Sequence, residues 1–251
     1  MEKYLEINRD GQNIRCKLYF DKKTEIRKVV LYIHGFAGHK DNAAARKFAE
    51  RLLTRYKGIA VFCFDLPCHG NDVKKKLALA DCLHYMELAV QYVRETFCTE
   101  ELYCYATSFG GFLTLKYLAE RGNPFRKAAL RCPAVNMYES MTGTLMSEEQ
   151  LEALRKGKEA EVGFDRKIRV GQAFLAELAE SDLFAMDFLP VCEDILILHG
   201  TKDEIIPFAV SERFADEKII EFLPVEGADH RFQNPKHMET AIKAIIAFFG
   251  F

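Results

Sequence analysis

Ser108 stands in the run Leu102-Tyr103-Cys104-Tyr105-Ala106-Thr107-Ser108-Phe109-Gly110-Gly111, where an apolar strand meets the start of a helix. A tight strand-to-helix turn lifts a serine hydroxyl clear of the strand. It aims the next amide, Phe109 N–H, at a reacting carbonyl oxygen and adds the positive end of the helix dipole. Such a turn is strained and needs small residues two before and two after the serine; Ala106 and Gly110 meet that need. Taken alone, the run fits equally well a serine that caps an ordinary strand-to-helix turn.

A serine hydroxyl is a poor nucleophile near neutral pH and needs a base within hydrogen-bond reach. Of the seven histidines, His230 lies in Glu226-Gly227-Ala228-Asp229-His230-Arg231-Phe232, between the last expected strand and the last helix. Loops beyond the carboxyl ends of strands form the active crevice of open α/β sheets. The acid that orients the base should lie between the two in the chain. Leu198-His199-Gly200-Thr201-Lys202-Asp203 offers Asp203 after a buried strand and a Gly turn, with Glu204 and Asp229 as rivals. Asp229 adjoins His230, and neighbouring side chains seldom meet at the ring, so Asp203 is the choice. Its role would be to hold the imidazole tautomer and stabilise the imidazolium. A second oxyanion donor is expected from His34-Gly35-Phe36-Ala37-Gly38-His39-Lys40-Asp41, through Phe36 N–H; the same stretch also reads as an ordinary Gly-rich loop.

The elements that must position these residues follow from hydrophobic periodicity. Segments 3–9 and 14–20 flank Asp10-Gly11 and predict a hairpin. Apolar runs at 29–33, 59–64 and 195–199 predict strands buried on both faces, and 102–106, 128–132 and 219–223 read as further strands. Helical spacing predicts helices over 41–56, 75–96, 110–120, 208–216 and 237–249. This alternation implies an α/β protein whose sheet is mainly parallel, with helices on both faces and an antiparallel hairpin at one edge. From 133 to 190 the rhythm breaks: no clear buried strand is visible, charge is dense around 147–169, and 148–156 and 171–178 read as amphipathic helices. A long excursion between two sheet strands is read as a cap. Its Tyr138, Met141, Met146, Phe164 and Phe174 could line an acyl pocket or form the cap's own core.

Composition bounds the partners. The chain has 251 residues, 49% hydrophobic, with a formal charge of -2. That size suits a single α/β domain, and the balance gives no electrostatic case for nucleic acid or an anionic membrane. The N-terminus lacks a basic start with an apolar core, and no apolar run nears the roughly 20 residues of a membrane helix; a cytoplasmic protein is expected. Eight scattered cysteines without a CxxC pair read as reduced core thiols. Cys68-His69 and Cys82-Leu83-His84 lack partners at zinc-like spacing, so no metal and no cofactor is expected.

The motifs together resemble the α/β-hydrolase family over nearly the whole chain. His34-Gly35-Phe36 resembles its oxyanion loop, Asp65-Leu66-Pro67-Cys68-His69-Gly70 its D-x-P-G-H-G turn, and Ser108, Asp203 and His230 its triad motifs. The resemblance implies a mostly parallel eight-stranded sheet with a small cap insertion at about 133–188. Within the family, residues 34–41 look most like bacterial cinnamoyl and feruloyl esterases. That likeness implies a carboxylic ester hydrolase working through an acyl-enzyme on aromatic or medium-length acyl esters. Tyr138, Phe164 and Phe174 would then contact substrate. The same fold also carries peptidases and thioesterases, and non-catalytic binding proteins. Two departures stand out: Ala106 replaces the first Gly of the serine turn, and Cys68 a Gly of the D-x-P turn. The expected partner is a small-molecule ester, and the chain would be a monomer or a homodimer.

Overall fold

The computed structural model describes residues 1–163 and 166–251. In chain order it forms β1 (Glu2–Arg9), β2 (Gln12–Phe20), β3 (Lys28–Ile33), α1 (Ala43–Arg55), β4 (Ile59–Phe64), α2 (Leu79–Phe97), β5 (Leu102–Thr107), α3 (Phe109–Arg121) and β6 (Lys127–Arg131). There follow α4 (Met137–Ser140), α5 (Glu148–Arg155), β7 (Ala160–Val162), β8 (Ile168–Val170), α6 (Gln172–Ala179), β9 (Ile195–Gly200), α7 (Phe208–Lys218), β10 (Glu221–Val225) and α8 (Pro235–Phe249).

Eight strands form one sheet in the order β1-β2-β4-β3-β5-β6-β9-β10. β1 pairs antiparallel with β2 and β2 antiparallel with β4, and the remaining neighbours are parallel. The fold is therefore α/β with a mostly parallel sheet, as the alternation predicts. The apolar runs explain it: in β4 and β5 every residue is buried, because helices cover both faces. Alternate strand residues feed two separate cores. One face packs Val30, Tyr32, Tyr103 and Tyr105 against Phe48 and Leu52 of α1 and Ile242 and Ile245 of α8. The other packs Leu31, Ile33, Cys104 and Leu130 against α2, α3 and α7. Full burial of a side chain of this size contributes roughly 1.5–3 kcal/mol.

Departures from the sequence expectation have physical reasons. The helix predicted over 75–96 begins at Leu79, because Lys74-Lys75-Lys76 would set positive charge against the helix dipole, whereas Asp81 in the actual first turn favours it. The strand predicted over 219–223 runs from Glu221, since Ile219 adopts φ 57 to close α7. Between β6 and β9 the antiparallel pair β7–β8 was not expected; three-residue strands carry too little periodicity to read. Among the described residues no helix is long and apolar enough to cross a membrane.

Candidate active site

β5 delivers Ser108 at the carboxyl edge of the sheet. Its backbone takes φ 52 and ψ -119, a conformation few non-glycine residues adopt and one that stores roughly 1–3 kcal/mol of strain. The turn is pinned from both sides. Ser108 N–H donates to Arg131 O at 3.0 Å, and Ser108 O accepts from Phe112 N and Ala134 N at 3.1 Å each. Gly110 rests on the end of β3 so closely that a Cβ there would lie 2.4 Å from Ile33 O. No side chain fits that contact.

His230 and Asp203 come from loops after β10 and β9. His230 Nε2 lies 3.0 Å from Ser108 Oγ, and His230 Nδ1 lies 2.7 Å from Asp203 Oδ2. The two loops are pressed together: a Cβ on Gly200 would meet Ala228 O at 2.3 Å, and Lys202 N–H donates to Ala228 O at 3.0 Å. Asp203 Oδ1 accepts the Ile205 and Ile206 amides at 2.9 and 2.8 Å. His199 Nε2 faces Asp203 Oδ2 at 3.1 Å and Ile206 O at 3.1 Å. Burial opposes the Asp203 charge, but hydrogen bonds from His199, His230 and the Ile206 amide outweigh it and hold the carboxyl well below the usual carboxylate range. Asp203 is thus an anion that accepts the Nδ1 proton of His230, leaving Nε2 free to take the Oγ proton. Glu204 and Asp229, the rivals, bind elsewhere: Glu204 accepts the His230 backbone N–H and Asp229 the Gln233 N–H.

The loop after β3 is fixed by His34. Its Nε2 accepts the Leu66 N–H at 3.1 Å, so Nδ1 carries the proton and donates to Gly35 O at 2.8 Å. Gly38 N–H binds the same oxygen at 2.9 Å. Across a planar trans peptide the Phe36 N–H points opposite to Gly35 O, and Phe36 lines the cavity that holds Ser108. Among the described residues neither Phe36 N–H nor Phe109 N–H donates to a protein acceptor. His34 is fully buried, and burial followed by its proximity to His69 pushes it well below the ordinary histidine range, so it stays neutral. His69 packs edge-on against the Phe36 ring at 5.6 Å, and burial lowers it to about 4.

The cavity above Ser108 has a volume of about 500 Å³. Phe36, His39, Thr107, Ile205, His230 and Phe232 line it, with Leu145, Gly163 and Arg166 from the segment between β6 and β9, and Asn42, Ala43, Ala44 and Lys47 from α1. Of the residues expected to touch substrate, Tyr138 is exposed and Phe174 is buried against Phe109, with ring centroids 6.2 Å apart. Neither lines the cavity: Tyr138 faces solvent on α4, and the apolar side of α6 turns Phe174 toward the core. Phe164 lies outside the described residues. Met141 and Met146 are buried in the core.

Three nearby groups had no role at the site assigned from the sequence: His199, Arg131 and Cys132. Each stands at the carboxyl end of a strand, which is the signal that could have found them. Cys132, Asp203 and His230 place possible ligand atoms within 4.8 Å of one another. Burial and then the Asp203 charge push the Cys132 thiol well up, so it stays protonated. The Cys68-His69 and Cys82–His84 pairs join no such group among the described residues. Cys68 itself takes φ 66, the left-handed conformation for which the D-x-P turn would otherwise use glycine.

The profile of the prolyl oligopeptidase family matches residues 69–250. The sequence matches no curated protein. Among solved structures, the chain is similar to Est1E from Butyrivibrio proteoclasticus with ferulic acid bound (TM-score 0.74, 20% identity, 98% of this chain and 100% of that chain). It is also similar to alpha/beta hydrolase domain-containing protein 10 from mouse (0.74, 19%, 99% and 98%). A soluble variant of monoglyceride lipase from Saccharomyces cerevisiae, in complex with a substrate analogue, aligns too (0.74, 17%, 100% and 96%). At these identities the likeness speaks for the fold, an α/β-hydrolase.

Proposed function

The chain belongs to the prolyl oligopeptidase family and is a serine hydrolase of the α/β-hydrolase fold; from that premise we propose that it is a carboxylic ester hydrolase for aromatic or medium-length acyl esters. Ser108 Oγ attacks the ester carbonyl carbon while His230 Nε2 takes its proton. Phe36 N–H and Phe109 N–H hold the oxyanion of the tetrahedral intermediate. The intermediate collapses as His230 passes that proton to the leaving alcohol, which leaves an acyl-Ser108. Water, deprotonated by the same Nε2, then attacks the acyl carbon; the acid departs and Oγ regains its proton. Asp203 keeps the imidazole in the tautomer that both steps need.

The observation that carries this reading is the unbroken hydrogen-bond chain Ser108–His230–Asp203, at 3.0 and 2.7 Å. One point favours an ester over a peptide. Solved relatives of the same fold include one with ferulic acid bound and a monoglyceride lipase. The same reading treats 133–188 as a small cap on a single domain, supported by the Leu145, Gly163 and Arg166 side of the cavity.

The test is a fluorophosphonate probe together with a panel of aryl esters, aminoacyl amides and acyl thioesters. Labelling of Ser108 with ester turnover that Ser108→Ala abolishes is expected. Full esterase activity in Ser108→Ala would overturn the mechanism, and faster cleavage of amides or thioesters would overturn the substrate class.

A further inference from the structure

Arg131 closes β6 and lines the cavity together with Ser108. It is only 6% exposed. Its Nη1 donates to the backbone carbonyl of Arg231 at 3.0 Å, its Nε has no partner among the described residues, and no carboxylate there forms an ion pair with it. Its guanidinium stands 5.1 Å from the Phe232 ring centroid. Burial works against this charge, and Asp229, whose carboxylate accepts the Gln233 N–H, acts on it only at a distance. A buried cation without an anionic partner is an unfavourable arrangement that natural structures keep where a ligand supplies the missing charge.

The surroundings fit an anion. Arg131 pairs in register with Thr107, so both side chains share the face of the sheet covered by α1 and α8. On the same face the first turn of α1 borders the cavity through Asn42, Ala43 and Ala44, followed by Lys47. Asn42 caps Ala44 N–H, but the helix dipole still places partial positive charge there. Arg166 also lines the cavity. Among the described residues no Asp or Glu lines it.

We propose that the cavity recognises esters carrying a second, anionic group, a carboxylate or a phosphate, seated between Arg131, Lys47 and the first turn of α1. This deepens the ester reading above and rests on it. Arg131 would set specificity by forming charge-assisted hydrogen bonds with that carboxylate or phosphate while Ser108 attacks the carbonyl a few atoms away.

The experiment compares kcat/KM within two substrate pairs. 4-Nitrophenyl butyrate against mono-4-nitrophenyl glutarate puts the anion on the acyl side, and monobutyryl glycerol against monobutyryl glycerol phosphate puts it on the alcohol side. The charged member of at least one pair is expected to be preferred by about tenfold or more, and that pair identifies the anion. Arg131→Gln and the exposed Lys47→Gln should each cut the charged-to-neutral ratio; should the first fail to fold, the second decides. Equal or better turnover of both neutral members, or a ratio unmoved in Lys47→Gln, would overturn the proposal. If no ester is turned over, the ester reading itself has failed. Binding then decides in Ser108→Ala: stabilisation against heat by glutarate or glycerol phosphate that Lys47→Gln weakens upholds the anion site, and no stabilisation by either rejects it.

Discussion

His34 donates its Nδ1 proton to the carbonyl oxygen of the next residue, Gly35, at 2.8 Å. The bond turns a neutral, buried side chain into a clamp on one peptide plane, and that plane carries the Phe36 N–H on its other edge. His34→Ala should therefore lower kcat by roughly ten- to a hundredfold with little change in KM, since full loss of such a donor costs about 10²–10³. It also leaves the buried Leu66 N–H unpaired, a cost of about 1–3 kcal/mol readable in urea unfolding. A rise in KM at constant kcat would point to ground-state binding instead.

Asp203→Asn should reduce kcat by about 10⁴, because an amide in that position favours the wrong imidazole tautomer. The variant also has a pH signature. The Asp203 carboxyl is depressed below its ordinary 3.8 in the folded protein. Its ionisation therefore stabilises the fold fully above the unfolded value, and the contribution fades as pH falls toward the folded one. The stability gap between wild type and Asp203→Asn should be widest above pH about 5 and shrink on acidification below about 4. Parallel urea titrations at several pH values would reveal a gap that instead widens in acid, which would contradict the assignment.

Gly110→Ala should force the serine turn off β3 and destabilise the protein by about 1–3 kcal/mol or prevent folding. Gly143→Ala is the control: a Cβ there meets nothing within 4 Å, so its thermal midpoint should stay near that of wild type. Equal midpoints for the two variants would mean that the contact with Ile33 O relaxes freely.

Asp65 is fully buried and accepts from Lys40 N at 2.7 Å, Asn71 N at 2.8 Å and Lys40 Nζ at 3.0 Å. Lys40→Met removes the cation and leaves the carboxylate. A loss of about 3–5 kcal/mol is expected, somewhat softened by the two amides. Unfolding within 1 kcal/mol of wild type would show that those amides suffice.

All eight cysteines are free thiols, six of them buried, with Cys68 half-buried and Cys98 exposed. Iodoacetamide on the native protein, followed by peptide mass analysis, should mark Cys98 first. Burial, followed by the charge of Asp72, pushes the Cys68 thiol up to about 12 and slows its reaction. Reductant should not move the unfolding midpoint. A midpoint that drops with reductant would mean a disulfide.

The α/β architecture was legible because its strands are apolar on both faces, and Val29, Val61 and Leu102 announce them without ambiguity. Ser108, Asp203 and His230 could be proposed from loop position and chain order, and the geometry brings the three side chains into contact. Other parts were illegible for physical reasons. Arg131 drew no expectation of its own in the sequence; only folding brings it, Lys47 and the α1 turn to one cavity. His199 was seen as a strand end, but its bond to Asp203 depends on how sharply Gly200 turns. The residues expected to touch substrate were chosen for aromatic character. Helix rotation decides which face an aromatic shows, and in α6 it sent Phe174 into the core.

The contact between Gly110 and Ile33 O has a broader meaning for how this molecule can change. The spacing between the hydroxyl of Ser108 and the amide of Phe36 is gauged by main chain against main chain, with no side chain interposed. Substitutions on α1 or in the stretch between β6 and β9 can reshape the cavity without disturbing that gauge. The molecule is in this sense modular: reactivity is held in a rigid frame of peptide groups, and selectivity is written in exchangeable side chains around it. Libraries randomised at Lys47, Leu145 and Arg166 should alter which substrate is cleaved far more readily than whether one is.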